Sequence, residues 1–211
     1  MTDVDRLIQG FRSFQKDYFD AEDSPYDALS KGQSPSTMIV GCSDSRVDPA
    51  ILTNSAPGDL FTVRNVANLV PPYELDTGQH GVSAALEFAV CHLNVTNIIV
   101  LGHAQCGGIQ ALMNGTCGAL GGGFISRWMT IAEAARERVC AELPDAGDKI
   151  KRKALEQAAI VLSLKNLRSF PFIDERVGAG KLTLVGWYFD LVRGELYQYH
   201  ETSGQFQRLS E

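Results

Sequence analysis

Four short apolar runs, at residues 37–40, 60–64, 97–101 and 182–188, set the fold of this chain. Each is too short for a buried helix and is flanked by Gly, Pro, Ser or Asn, so each reads as a buried strand. The stretches between them carry helical spacing. Val82, Leu86, Ala89, Val90 and Leu93 share one face of a helix over residues 78–93. Short helices fit residues 49–54 and 107–113. Longer ones fit 124–143 and 148–170, divided by Pro144 and Gly147, with Gly121-Gly122-Gly123 as a hinge before them. Strands separated by helices imply a parallel sheet covered on both faces. A further run, 196–199, follows Arg193-Gly194 as the second arm of a hairpin. The expected fold is therefore α/β: a mainly parallel four-stranded sheet with a fifth, antiparallel edge strand, helices on both faces, and an N-terminal helical arm. Residues 1–211 read as a single domain, with 1–32 as the arm. Val4, Leu7, Ile8, Phe11 and Phe14 give that arm an apolar stripe, to be buried on this domain or on another subunit.

In parallel sheets ligands gather beyond the carboxyl ends of the strands, and two of these strands end in reactive groups. The first runs into Cys42-Ser43-Asp44-Ser45-Arg46, and the third into Gly102-His103-Ala104-Gln105-Cys106-Gly107-Gly108. An Asp and an Arg this close pair, which keeps Asp44 ionised and in one orientation. Cys42, His103 and Cys106 offer two sulfurs and one nitrogen. Three such ligands, with a fourth position left for water or Asp44, make a catalytic zinc arrangement rather than a structural one.

Composition narrows the partners. The 211 residues are 45% apolar with a net charge of -6 and no basic cluster, which argues against nucleic acid or an anionic membrane as partner. No apolar run approaches the roughly 20 residues of a membrane span, and the first residues lack the form of a signal peptide. Five cysteines suit a reducing compartment, hence a cytoplasmic protein, better than a disulfide framework. Cys91, Cys117 and Cys140 have no ligand partners at useful spacing and read as structural. Arg64 reads as half of a structural ion pair, and Trp187 and Asp190 as packing and turn residues. Two rival classes exist. A thiol switch built on Cys42 and Cys106 leaves Asp44 and Arg46 without a purpose. A nucleotide module on residues 102–108 lacks both the Gly-x-Gly-x-x-Gly pattern and a P-loop lysine.

Cys-Ser-Asp-Ser-Arg followed about sixty residues later by Gly-His-x-x-Cys-Gly-Gly resembles the β-class carbonic anhydrases. The likeness runs from Gln33 to Cys106 and resumes at Gly186-Trp187-Tyr188-Phe189-Asp190. The resemblance implies Zn2+ on Cys42, His103 and Cys106, and reversible hydration of CO2 to bicarbonate and a proton by zinc-bound hydroxide. It implies that Asp44 accepts a hydrogen bond from the nucleophile while Arg46 holds Asp44 still. It makes Gly107 a backbone donor near the metal, Gln33 a donor to substrate oxygen, and Phe61 and Val66 apolar pocket walls. His92 matches a histidine suspected of shuttling protons. Phe88 departs from the plant-like branch, which has tyrosine there, and Ile39 departs from the other large branch, which has tryptophan. The implied state is the open site of the plant-like branch, with Asp44 on Arg46. The implied assembly is a homodimer or homotetramer.

Overall fold

The computed structural model describes residues 2–20, 23–75, 78–115 and 123–209. Gly121 and Gly122 of the expected hinge, and Cys117, lie outside the described residues. The chain divides into two compact units, residues 1–34 and 35–211.

The first unit holds α1 (Asp3–Phe19) and α2 (Tyr26–Leu29). Thr2 caps α1, its hydroxyl accepting from the Asp5 N–H while the Asp5 carboxylate accepts from the Thr2 N–H. This reciprocal box satisfies two of the donors that a helix start leaves over. Aromatic contacts tie α1 to α2: the Phe19 and Tyr26 rings stack with centroids 4.6 Å apart. Val4, Leu7, Ile8 and Phe11 stay exposed along the expected apolar stripe.

The second unit is built on a six-stranded sheet in the order β2-β1-β3-β4-β5-β6. Its strands are β1 (Thr37–Cys42), β2 (Leu60–Asn65), β3 (Asn97–His103), β4 (Thr183–Asp190), β5 (Glu195–His200) and β6 (Gln205–Arg208). The first four pair in parallel and the last two are antiparallel. The expected count of five strands is thus one short. β6 is four residues long with a single apolar side chain, Phe206, so it carries no alternation to read. Asp190 behaves as expected, its carboxylate accepting from the N–H groups of Val192 and Arg193 in the hairpin turn.

Alternation along the strands separates two faces. Met38, Val40, Ile98, Val100 and Tyr188 point into the main core, while Ile39, Ile99 and Leu101 form a second cluster on the other side. α3 (Pro49–Thr53) meets that second side, where a Cβ on Gly41 would lie 3.3 Å from Pro49. The main core is covered by α4 (Gly81–Glu87) with the π-turn Phe88–His92 that prolongs it, and by two later helices, α8 (Asp148–Leu167) and α9 (Pro171–Gly178). Between them run α5 (Gly107–Met113), α6 (Phe124–Met129) and α7 (Glu133–Glu142).

Two expected helices are broken. Residues 124–143 are interrupted by the 3-10 turn Thr130–Ala132, and residues 148–170 stop at Leu167 before α9 begins at Pro171. A proline disfavours helical backbone in the residue before it, and Phe170 has φ -79°, ψ 117°.

α8 lies close against β3 and β4 because the sheet offers it glycines. A Cβ on Gly102 would sit 2.7 Å from Ile160, and one on Gly186 would sit 2.9 Å from Leu164. Ile160 is fully buried and cannot swing away. Gly102→Ala should therefore destabilise the protein by about 1–3 kcal/mol through overpacking. Urea unfolding followed by circular dichroism measures this, and an unchanged midpoint would refute the close approach.

Candidate metal centre

β1 and β3 are neighbours and parallel, so their carboxyl ends lie at the same edge of the sheet. β1 ends on Cys42 and β3 on His103. The turn after β3 passes through Gln105, whose φ of +58° lies in the left-handed region, and delivers Cys106 as the N-cap of α5. All three residues are buried, and their ligand atoms lie within 4.8 Å of one another.

The donor set fits zinc. Two Zn–S bonds of about 2.3 Å at the tetrahedral angle set the sulfurs about 3.8 Å apart; the Cys42 and Cys106 sulfurs are 3.9 Å apart. The Nδ1 of His103 lies 2.8 Å from the Ala104 carbonyl. Donation from Nδ1–H to that carbonyl leaves the Nε2 lone pair for a metal, the tautomer that a carbonyl partner usually fixes in a metal-binding histidine. Nε2 is buried with no hydrogen-bond partner in the described structure. A buried nitrogen left unpaired costs free energy, and a cation between it and the two sulfurs removes that cost.

The charges around these atoms agree. Hydrogen bonding from Cys106 is the largest influence pulling the Cys42 thiol down, and the same contact pushes Cys106 up, as for two sulfurs that share one proton. Burial, the largest influence, pulls His103 down, but the Cys42 sulfur beside it, with the Ala104 carbonyl and Asp44, raises it on balance.

Asp44 and Arg46 meet as expected. Arg46 Nε donates to Asp44 Oδ1 at 2.9 Å and Nη2 to Oδ2 at 2.7 Å, a bidentate pair. The Arg46 hydrogen bond holds the Asp44 carboxyl well below the usual carboxylate range, against a smaller opposing effect of burial. A depressed carboxyl stays charged as pH falls through the ordinary range and loses its pairing only below it. Asp44 Oδ2 is 3.9 Å from His103 Nε2. Arg64 supports the turn from β2: Nε donates to the Cys42 carbonyl at 2.9 Å, Nη2 to the Asp44 carbonyl at 2.7 Å, and Nη1 to Asp48 at 2.9 Å.

The remaining expected site residues divide. Val66 packs against the cluster that contains Cys42 and Cys106. Gly107 opens α5, and a Cβ there would meet nothing within 4 Å, whereas one on Gly108 would strike Val66 at 2.7 Å. Phe61, Phe88 and His92 form a row of their own, with centroids 5.8 Å and 5.4 Å apart. Phe61 lies beside Met38, whereas Cys42 lies beside Asn65. Four residues of strand separate the two positions by about 13 Å. Gln33 belongs to the N-terminal unit. Of the other cysteines, Cys91 is exposed and Cys140 half-buried; among the described residues neither joins a metal-binding group.

The sequence reading missed Glu156. Its carboxylate is buried on α8 and accepts from the Cys106 N–H at 3.3 Å and the Tyr188 hydroxyl at 2.9 Å. Burial raises its pKa against these two bonds, the Gln105 backbone and the charge of Arg152. One signal was available: Glu156, Ile160, Ser163 and Leu167 share a helical face, and an acid within an apolar stripe asks for a buried partner.

A family model described as carbonic anhydrase matches residues 37–196. The Arabidopsis thaliana protein named Beta carbonic anhydrase 3 is 38% identical over 193 residues, covering 90% of this chain and 74% of that one. The structure of the β-carbonic anhydrase CcaA superposes with a TM-score of 0.92 at 33% identity, covering 99% of this chain and 100% of that one. One of two tetrameric β-carbonic anhydrases from Sordaria macrospora is 29% identical, with a TM-score of 0.72 and 92% of each chain covered. That family uses Zn2+, for which Cys42, His103 and Cys106 are the matching group in this chain. The strand-end ligands, the fold and these relatives agree: the chain belongs to the β-class carbonic anhydrases.

Proposed function

We propose that this protein hydrates CO2 reversibly to bicarbonate and a proton, at the Cys42–His103–Cys106 group. The observation that carries the reading is the unpartnered Nε2 of His103, buried between two close sulfurs and beside a carboxylate already fixed by Arg46. Zinc bound there supplies a Lewis acid that lowers the pKa of water from about 15.7 to about 7. The rest falls to the chain. Asp44, charged and unable to donate, accepts a hydrogen bond from the oxygen nucleophile and aims its lone pair at CO2. Arg46 prevents Asp44 from rotating away. Val66 gives the carbon dioxide an apolar wall, and the Gly107 N–H offers a donor to the oxygen that gains charge.

The site needs a second copy of the chain. Phe61 lies about 13 Å along the sheet from its own Cys42, and Phe88 and His92 continue its row of rings, so we assign all three to the pocket of a partner subunit, together with Gln33. The stripe of Val4, Leu7 and Phe11 supports an isologous contact of this kind, in a homodimer or a tetramer. His92 is exposed and so able to pass protons to buffer. Two free thiol ligands suit the cytoplasm or another reducing compartment.

Stopped-flow CO2 hydration should show turnover that a chelator abolishes and added Zn2+ restores. Cys42→Ala and His103→Ala should each lose most of the zinc and nearly all turnover, read by elemental analysis and the same assay. A Cys42→Ala protein with full zinc and full activity would refute the ligand set.

Deleting residues 2–20 should reduce the mass measured by light scattering and lower turnover with it. An unchanged oligomer with unchanged activity would rule out the arm as a subunit contact.

His92→Ala should lower kcat more than kcat/KM, because proton release follows the CO2 step. Imidazole buffer should restore part of the loss. Equal, unchanged parameters would leave His92 without a catalytic part.

A further inference from the structure

Glu156 is 4% exposed, and the proposed reaction gives it nothing to do. A buried carboxylate is costly unless its oxygens are satisfied. Arg152 does not close on it, its Nε standing 3.9 Å away, outside hydrogen-bond range. Its hydrogen-bonded partners are the Tyr188 hydroxyl and the backbone N–H of Cys106. That N–H shares a peptide unit with the Gln105 carbonyl, which accepts from Arg46 Nη2 at 3.1 Å. One peptide is therefore gripped at both ends. Glu156 holds its N–H from the core, and Arg46 holds its oxygen from the solvent side while binding both oxygens of Asp44.

The grip has a purpose. Gln105 sits at φ +58°, a left-handed conformation that is unfavourable for a non-glycine residue and persists only where the surroundings hold it. A rotation of this peptide would move Cys106 Sγ on one side and release Arg46 on the other. We propose that Glu156 is a positioning residue of the metal centre: it fixes the Gln105–Cys106 peptide and so sets the Cys106 thiolate and the Asp44–Arg46 pair together. This rests on the reading of the same site as a zinc-dependent hydratase.

The test separates the two ideas. Glu156→Leu keeps roughly the side-chain size but removes both acceptors. Outer-shell partners of metal ligands typically contribute about 10–100-fold to metal affinity or activity. Zinc affinity, measured by competition with a chromophoric chelator, should weaken by about that factor, and kcat/KM should fall with it. The Co2+-substituted protein should change its visible spectrum, since the cysteine ligand has moved. Glu156→Gln, which can still accept from the Cys106 N–H, should recover most of the zinc affinity. Tyr188→Phe should lower the denaturation midpoint and leave the Co2+ spectrum as in the wild type, because that hydroxyl does not touch the peptide. Wild-type zinc affinity, Co2+ spectrum and kcat/KM in a folded Glu156→Leu protein would overturn the assignment. If that variant does not fold, Glu156→Asp, which withdraws the carboxylate by one methylene, reads the same quantities and is decided the same way. A wild-type protein that binds zinc without hydrating CO2 would overturn the hydratase reading and leave the Glu156 affinity comparison standing.

Discussion

The parallel pairing of β1 and β3 is the constraint on which the rest of the site depends. It places two strand ends side by side at one edge of the sheet, and with them Cys42 and His103. An antiparallel pair would have put these residues at opposite ends. Parallel pairing requires a crossover between the strands, which here is the whole segment through β2 and α4. The third ligand then needs only a short turn, the left-handed step at Gln105, to fold back beside the first two. The thiols belong to the buried cluster of Ala67, Ile109, Met129 and Leu155, so the same burial that stabilises this end of the molecule shields the ligand atoms from solvent.

Charge around the centre is neutralised in local pairs. Asp44 is answered by Arg46 and Asp48 by Arg64. Two thiolates would balance one Zn2+. The arginines differ in placement as well as in partner. Arg46 is half exposed and reaches across to the Gln105 loop, whereas Arg64 is less exposed and bonds the β1 loop at two carbonyls and one carboxylate. Each therefore ties a ligand-bearing turn to something rigid.

Much of this was legible in the sequence because it is local. Strand ends, the Cys-x-Asp-x-Arg spacing and the His-x-x-Cys turn are each set within a few residues, and each structure matches its reading. What was not legible depends on distant contacts. Phe61 reads as a pocket wall, but only the β1–β2 register shows it four residues away from Cys42's neighbour. Glu156 is fifty residues from Cys106, and it reaches that residue only because glycines at 102 and 186 let α8 settle onto the sheet. The break at Phe170 was readable from Pro171, and reading helical spacing straight up to it hid α9. β6 had no pattern to offer, since its pairing with β5 rests on backbone bonds and one phenylalanine.

Asp44 is held on Arg46 by bonds that are costly to break. For the carboxylate to swing to a metal it would have to break two charge-assisted hydrogen bonds, each stronger than an ordinary one. Arg46 would at the same time lose its anchor, and its bond to the Gln105 carbonyl would no longer be part of a continuous link to Asp44. Something must favour the swung state for it to be populated, and a ligand does so only by binding that state better. Arg64 commits three of its five N–H donors to the protein itself, at the Cys42 and Asp44 carbonyls and the Asp48 carboxylate. Position 39 holds an isoleucine that is fully buried in an apolar cluster with Ile99, Leu101, Trp187 and Phe189, and it presents no polar atom. An anion entering there would give up water for hydrocarbon. The two bonds to Arg46 and the apolar surroundings of Ile39 both favour the arrangement in which Asp44 stays on Arg46.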